Sequence, residues 1–143
     1  MVPPWSWFNT GWKTLAGTND NAGEVGHIRL DNFGPVGYAK AGSFEGFCNG
    51  GGIAHFSRLK AMEKLRMGEK VSRCEGLSEL QSVTAQLVAN AAKYGDALAL
   101  EIYETYGTNL CKGLLVLIDI LNPECIVIGS IYVKADHLLY NSF

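Results

Sequence analysis

The sequence predicts a helix-rich α/β domain that contains a short, mostly parallel sheet. Three stretches, residues 53–67, 80–91 and 96–121, repeat apolar side chains at helical spacing. Residues 125–128 form a short, wholly apolar run, which is typical of a strand buried on both faces of a parallel sheet. A chain of 143 residues has the size of one domain and can bury a core.

Composition and charge exclude several classes of protein. Hydrophobic residues make up 48% and charged residues 18% of the chain, which is typical of an ordered globular domain. A net charge of -2 gives no attraction for nucleic acid or an anionic membrane, so neither is an expected partner. The apolar run 114–121 is too short to span a bilayer. Four cysteines without paired spacing indicate a reducing, cytoplasmic setting.

The chain divides into an irregular arm, residues 1–16, and a single domain, residues 17–143. The arm carries all three tryptophans and two adjacent prolines. The indole rings of Trp5, Trp7 and Trp12 can stack on a sugar, but packing against the domain or a partner chain is the favoured role for clustered aromatic residues.

The first half of the domain combines turns, a short strand and a helix. Residues 17–21 and 31–35 have turn chemistry, and residues 25–30 between them favour a short strand. The glycine run 50–52 precedes the helix and favours close packing of the helix start over phosphate binding, because the Lys-Ser/Thr ending of a phosphate loop is missing. The apolar face of this helix is predicted to consist of Ile53, Phe56, Leu59, Met62 and Leu65, with Gly68 at its end. His55 on the same helix has no evident partner.

Two further helices follow. A capping box at Ser78 is predicted to start the first, and Gly95 ends it. Asp96 caps the second, whose later half, residues 114–121, is apolar on nearly every face and is therefore expected to be buried. Asn122 and Pro123 end this helix. The second helix carries a stripe at intervals of four, formed by Leu98, Ile102, Tyr106, Leu110, Leu114 and Ile118. One more helix is predicted over residues 135–140.

A chemical purpose can be inferred at the segment Gly23-Glu24-Val25-Gly26-His27. Its carboxylate and imidazole are three residues apart, and a glycine between them allows close approach of a ligand. Together with Glu45 they form a set of acceptors and donors suited to the hydroxyl groups of a sugar. The alternative is that Glu24 and His27 only tie down their own turn.

This segment, followed by Gly34-Pro35 and then Glu45, resembles the GExGH signature of the ROK family of sugar kinases and repressors. Residues 122–129, Asn-Pro-Glu-Cys-Ile-Val-Ile-Gly, resemble a later element of the family. The resemblance extends from about Gly17 to about Leu139. It implies a ribonuclease H-like fold of the actin-like ATPase and sugar kinase type, with this chain as an incomplete C-terminal lobe.

The resemblance also implies roles. In the family, the glutamate and histidine of GExGH and the later glutamate contact a hexose, which assigns substrate binding to Glu24, His27 and Glu45. An ATP-dependent hexose kinase of glucokinase type would use ATP and Mg²⁺. Its catalytic base and phosphate loop are expected upstream of GExGH and are not found, and Asn19-Asp20 lies too close to the motif to supply the base. The chain is therefore expected to supply sugar-binding residues and to be inactive alone.

The sequence departs from the family in one informative way. Many ROK proteins carry three cysteines after the GExGH histidine, and these four residues hold a structural zinc. Residues 34–45 contain no cysteine, and His27 alone cannot hold zinc tetrahedrally. No zinc is expected, and a site made of Cys48 and His27 is disfavoured.

Two hypotheses stay open at this point. The chain is either part of a sugar kinase or a noncatalytic sugar-sensing module, akin to the ROK transcriptional regulators. Apolar surface left uncovered by missing lobes would favour a homo-oligomer. The identity of the hexose is not determined by the sequence.

Overall fold

The computed structural model describes residues 9, 10, 13, 14, 16–19, 21–72, 74 and 76–129. Four α-helices dominate the described part, which confirms the helix-rich prediction: α1 (Phe44–Cys48), α2 (Gly50–Arg66), α3 (Ala85–Lys93) and α4 (Ala97–Leu121). Two 3₁₀ helices span Val25–His27 and Leu77–Ser82. The strands are β1 (Asn9–Thr10), β2 (Lys13–Thr14), β3 (Val36–Gly37) and β4 (Lys40–Ala41).

The sheet prediction is wrong for the described residues. β1 pairs with β2 and β3 with β4, and both two-stranded pairs are antiparallel. Residues 125–128 form no strand, and Val127 is 90% exposed. An apolar run becomes a buried strand only where neighbouring strands pair with it, and none of the described strands does so. Residues 25–30 also differ from the predicted strand, because their first three residues form a 3₁₀ turn.

Helix α2 ends as predicted, with Gly68 at φ +78° just beyond it. Its buried face is formed by Ile53, Ser57 and Ala61, which are spaced by four residues. The residues of the predicted face recur every three positions. Because an α-helix has 3.6 residues per turn, residues at that spacing move progressively around the helix and leave the buried face, and Leu59 is 40% exposed.

The glycine run at the start of α2 serves close packing, as the sequence predicts. Asn49 caps the helix, since its Oδ1 accepts a hydrogen bond from the Gly52 amide. The backbone carbonyl of Gly46 in α1 lies where a Cβ on residue 52 would be, so only glycine fits. The two helices therefore meet backbone to backbone.

Helix α3 starts later than predicted. Its N-cap is Thr84, whose Oγ1 accepts from the Leu87 amide at 3.3 Å, and no side-chain cap forms at the preceding 3₁₀ helix. The predicted capping box lies inside that 3₁₀ helix, where Leu80 is buried in a small cluster with Ala61 and Cys74. Burial of Leu80 thus takes precedence over local capping chemistry. The predicted end holds, with Gly95 at φ +81° just after the helix.

Helix α4 confirms the predicted cap and the first part of the predicted stripe. Asp96 Oδ1 accepts from the Ala99 amide at 2.8 Å, and Ile102, Tyr106 and Leu110 are buried. Asn122 ends the helix in the left-handed conformation. The expected burial of residues 114–121 is wrong, because this end of the helix is exposed at Leu115, Ile118, Ile120 and Leu121.

One core cluster joins α1, α2, α3 and α4. It contains Phe44 and Phe47 of α1, which pack among buried residues of the longer helices such as Ile53 and Tyr103. A Cβ on Gly113 of α4 would lie 2.5 Å from the Phe44 ring, so a small residue is needed there. The core thereby fixes α1, the short helix that carries Glu45.

Several predictions fall outside the described residues. These are the helix over residues 135–140 and most of the arm, including Trp5, Trp7 and Trp12. Of the helices that the structure describes, none combines the length and the apolar character needed to cross a membrane.

Candidate functional site

Glu24 and His27 lie at the two ends of the first 3₁₀ turn. The His27 amide donates to the Glu24 carbonyl at 3.2 Å, which closes the turn through the backbone. Glu24 Oε2 and His27 Nε2 are 3.9 Å apart, a distance too long for a hydrogen bond. The two side chains face each other without a direct hydrogen bond. Glu24 keeps 26% and His27 keeps 46% of its side-chain surface exposed. This spacing leaves room for a ligand hydroxyl to bond both groups.

Glu45 is the third predicted site residue, and its carboxylate is held on one side only. Its Oε1 accepts from Asn49 Nδ2 at 3.1 Å, whereas Oε2 is buried and has no hydrogen-bond partner among the described residues. Buried carboxylate oxygens are almost always paired, so an unpaired one calls for a missing donor.

The structure brings Glu45 next to the other two residues. A Cβ placed on Gly26 would lie 3.2 Å from Glu45 Cβ and 3.4 Å from Glu45 Oε2. Gly26 is the glycine between Glu24 and His27, so the unpaired oxygen of Glu45 lies directly against the turn that carries the pair. A side chain at position 26 would press on Glu45, so glycine allows the turn and Glu45 to approach closely.

Backbone pairing between the motif segment and the residues before α1 produces this juxtaposition. The Phe44 amide donates to the Ile28 carbonyl at 2.7 Å, and the Leu30 amide donates to the Gly42 carbonyl at 2.8 Å. Arg29 and Ser43 form an antiparallel bridge between these two bonds. The hairpin β3–β4 is looped out of this pairing and folds back over the 3₁₀ turn.

Two residues of the hairpin contact His27, and neither was predicted from the sequence. The ring centroids of Tyr38 and His27 are 4.0 Å apart with an interplanar angle of 53°, and Lys40 Nζ donates to the His27 carbonyl at 2.7 Å. Partial burial, and then the negative charges of Glu45 and Glu24, raise the pKa of the Tyr38 phenol above its ordinary value. The phenol is therefore a neutral hydroxyl group at pH 7. The sequence offered one signal for these two contacts, namely that a phenol (Tyr38) and an ammonium group (Lys40) follow GExGH closely.

The remaining candidates contribute little to this site. The start of α2 does not fit a nucleotide phosphate, because Asn49 occupies the Gly52 amide and the Gly46 carbonyl blocks the approach. Cys48 is buried in the core, where burial and then Cys111 raise the pKa of its thiol, so it stays protonated. His55 is exposed. In the described ranges, no three His, Cys, Asp or Glu residues are grouped so that they could hold a metal ion.

The arrangement of helices matches solved structures of one class. A ROK family transcriptional regulator, a homologue of the Escherichia coli Mlc protein, superposes with a TM-score of 0.67 at 27% identity, over 91% of this chain and 31% of that one. A ROK family glucokinase from Streptomyces griseus, in complex with glucose and AMPPNP, gives a TM-score of 0.68 at 19% identity, over 91% of this chain and 43% of that one. The fold is thus that of ROK proteins, which have the actin-like ATPase fold.

Sequence comparison leads to the same class. The DNA-binding transcriptional dual regulator NagC of Escherichia coli is 29% identical over 127 residues, which cover 89% of this chain and 29% of NagC. A glucokinase from Halalkalibacterium halodurans is 32% identical over 127 residues, which cover 87% of this chain and 37% of the enzyme. Residues 8–143 match the ROK family, and the chain belongs to it.

These matches refine two sequence predictions. The family match starts at residue 8, so it includes part of the segment that was predicted to be an arm without family resemblance. The relatives include a DNA-binding regulator as well as a glucokinase. The comparisons therefore do not support the prediction that nucleic acid is excluded as a partner. The chain spans about three tenths of the length of NagC and 37% of the length of the glucokinase.

Proposed function

We propose that this chain is the hexose-binding portion of a ROK sugar kinase of glucokinase type, with Glu24, His27 and Glu45 as its sugar contacts. The observation that carries the proposal is the buried, unpaired Oε2 of Glu45 beside the Glu24/His27 turn. A rotation of the Glu45 carboxylate that turns this oxygen towards a ligand hydroxyl would give it a donor and remove the cost of the missing hydrogen bond, about 1–3 kcal/mol.

The three side chains suit a ring of hydroxyl groups. Ionised carboxylates only accept hydrogen bonds, while a neutral imidazole donates from one nitrogen and accepts on the other. Glu24 and His27 lie 3.9 Å apart, so one hydroxyl can accept from the imidazole and donate to the carboxylate. Glu45 then serves a neighbouring hydroxyl. A sugar that lacks either hydroxyl would leave a buried polar group unpaired, which gives the site its selectivity.

The kinase assignment is supported by the glucokinase relative and by the solved glucokinase that holds glucose and an ATP analogue. ATP and Mg²⁺ belong to this proposal and would supply the phosphoryl group and its charge neutralisation. The phosphate loop and the catalytic base of a ROK kinase are expected upstream of GExGH, and no transfer step is assigned to Glu24, His27 or Glu45. The role assigned to this chain is to bind and orient the sugar.

A second function, noncatalytic sugar sensing, is favoured by a different observation. The transcriptional regulator NagC matches 89% of this chain, and the solved ROK regulator superposes at 27% identity, against 19% for the solved Streptomyces griseus glucokinase. A sensor would use the same three sugar contacts without turnover.

Calorimetric titration with a panel of hexoses, including glucose and N-acetylglucosamine, tests the shared site. We expect Glu24→Gln and His27→Gln to weaken hexose binding roughly 5- to 150-fold, since the amide that replaces the carboxylate or the imidazole cannot keep the same set of hydrogen bonds. Glu104→Gln, at an exposed position on α4, is the matched control and should bind like the wild type. Equal affinity of the wild type and the Glu24 and His27 variants would contradict the proposed contacts.

A coupled assay of ADP release with glucose, ATP and Mg²⁺ then separates the two functions. Turnover that Glu24→Gln abolishes supports the kinase. Hexose binding without turnover, in this chain and in any longer protein that contains it, supports the sensor.

A further inference from the structure

The hairpin beside the site has an unusual turn. Tyr38 and Ala39 join β3 to β4, and both have positive φ angles, 50° and 56°. A two-residue turn of this kind is ordinarily made by Asn and Gly, because other side chains disfavour the left-handed region. A tyrosine is held there at an energetic cost, and such a cost is typical of sites where a side chain must point in a set direction.

The turn directs the Tyr38 ring onto the site. The centroid of the Tyr38 ring lies 4.0 Å from that of the His27 ring. Tyr38 Cε2 would lie 3.6 Å from a Cβ placed on Gly26, the same glycine that contacts Glu45. The ring therefore packs along one edge of the Glu24–Gly26–His27 turn. Tyr38 remains 48% exposed, so burial of its ring in a core does not account for the conformation.

The same hairpin also holds the backbone of His27. Lys40, the first residue of β4, donates from Nζ to the His27 carbonyl at 2.7 Å. His27 is thus contacted at two points by hairpin residues that are separated only by Ala39: Tyr38 packs on its ring, and Lys40 bonds its carbonyl group. The imidazole itself keeps 46% of its surface exposed, with Glu24 Oε2 at 3.9 Å as its other neighbour.

We propose that Tyr38 is a positioning residue, which fixes the His27 imidazole in the direction that the sugar site requires, while Lys40 fixes its backbone. This role of Tyr38 and Lys40 depends on the proposed function, in which His27 contacts the sugar. Tyr38 acts through His27, and aromatic contacts of this kind are strong enough to select one side-chain orientation.

Nuclear magnetic resonance of the His27 ring tests the positioning without any ligand. A neighbouring aromatic ring shifts the imidazole proton signals, and the His27→Gln variant identifies them among the signals of the three histidines. We expect Tyr38→Gly to move these signals to free-imidazole positions and Tyr38→Phe to retain them. Glycine at position 38 relieves the backbone strain, so this variant should fold at least as well as the wild type, as a thermal melt will show.

Ala39→Gly is the matched control, because it relieves the same kind of strain at the neighbouring position and leaves the ring in place. It should keep both the His27 signals and the hexose affinity. Tyr38→Gly should weaken hexose binding roughly three- to tenfold and Tyr38→Phe should not.

Unshifted His27 signals in Tyr38→Gly would overturn the proposal, and so would shifted signals with an unchanged affinity for a hexose that the wild type binds. If the wild type binds no hexose, the proposed function fails, and nuclear Overhauser contacts between the His27 ring and Glu24, kept in Tyr38→Phe and lost in Tyr38→Gly, then decide whether Tyr38 positions the imidazole.

Discussion

The carboxylate of Glu45 has one oxygen bonded to the Asn49 amide and one buried oxygen without a described partner. A charge in that position is costly unless a donor reaches it. A residue retained at such a cost is expected to trade stability for ligand binding.

We therefore expect Glu45→Gln to leave the free energy of unfolding unchanged or to raise it by up to about 2 kcal/mol, because a neutral amide costs less to bury than a carboxylate. The same variant should lose most of its hexose affinity. Urea unfolding and calorimetric titration measure the two effects, with Glu104→Gln as the control. A variant that is clearly less stable and still binds hexose would show that Glu45 is structural.

The sequence predicted part of this site because its signal is local. Glu24 and His27 are close in the chain, so their spacing was enough to suggest a pair. Glu45 lies further along the chain, and only the coordinates show its contact with Gly26. Tyr38 was not predicted as a site residue, since the neighbouring sequence contains no Asn-Gly or similar pair that would indicate a turn with two positive φ angles.

Helix ends follow the same division between local and distant causes. Asp96 starts α4, and Gly68 and Asn122 end α2 and α4, all as predicted, because a cap involves only residues within one turn. The start of α3 was predicted too early, because Leu80 is buried against Ala61 and Cys74, which are distant in sequence. Strands were also misjudged, since pairing depends on a partner segment.

The junction of α1 and α2 provides a test with adjacent glycines. Gly52→Ala should destabilise the fold by about 1–3 kcal/mol, because its Cβ would collide with the Gly46 carbonyl. Gly51→Ala, exposed on the same turn, should leave stability unchanged or raise it by up to about 1 kcal/mol. Urea unfolding of both variants measures the difference. Equal stabilities would mean that the helices do not meet as closely as the structure shows.

In the part of the chain that the structure describes, α4 has an exposed apolar end, which consists of Leu115, Ile118, Ile120 and Leu121, with exposed fractions of 57%, 44%, 72% and 37%. Contiguous apolar surface of this kind marks a contact surface or favours association. The predicted homo-oligomer is consistent with it.

We expect this chain to associate in a concentration-dependent way, as measured by size-exclusion chromatography with light scattering. Leu115→Glu combined with Ile120→Glu should shift it towards the monomer, because a charge opposes burial of the apolar end. Leu100→Glu, which alters a 43% exposed leucine nearer the start of the same helix, is the control. A clean monomer at all concentrations would contradict the prediction.

The sequence by itself determined that this chain is helix-rich, that it belongs among ROK proteins and that Glu24 and His27 lie close together. These properties depend on spacing along the chain, which the sequence states directly. Only the tertiary structure decided that Glu45 lies against Gly26, that Tyr38 and Lys40 hold His27, and that the last turns of α4 stay exposed. The reason is physical: packing and burial arise between segments that are distant in the chain, and the amino-acid pattern of one segment does not specify its partner.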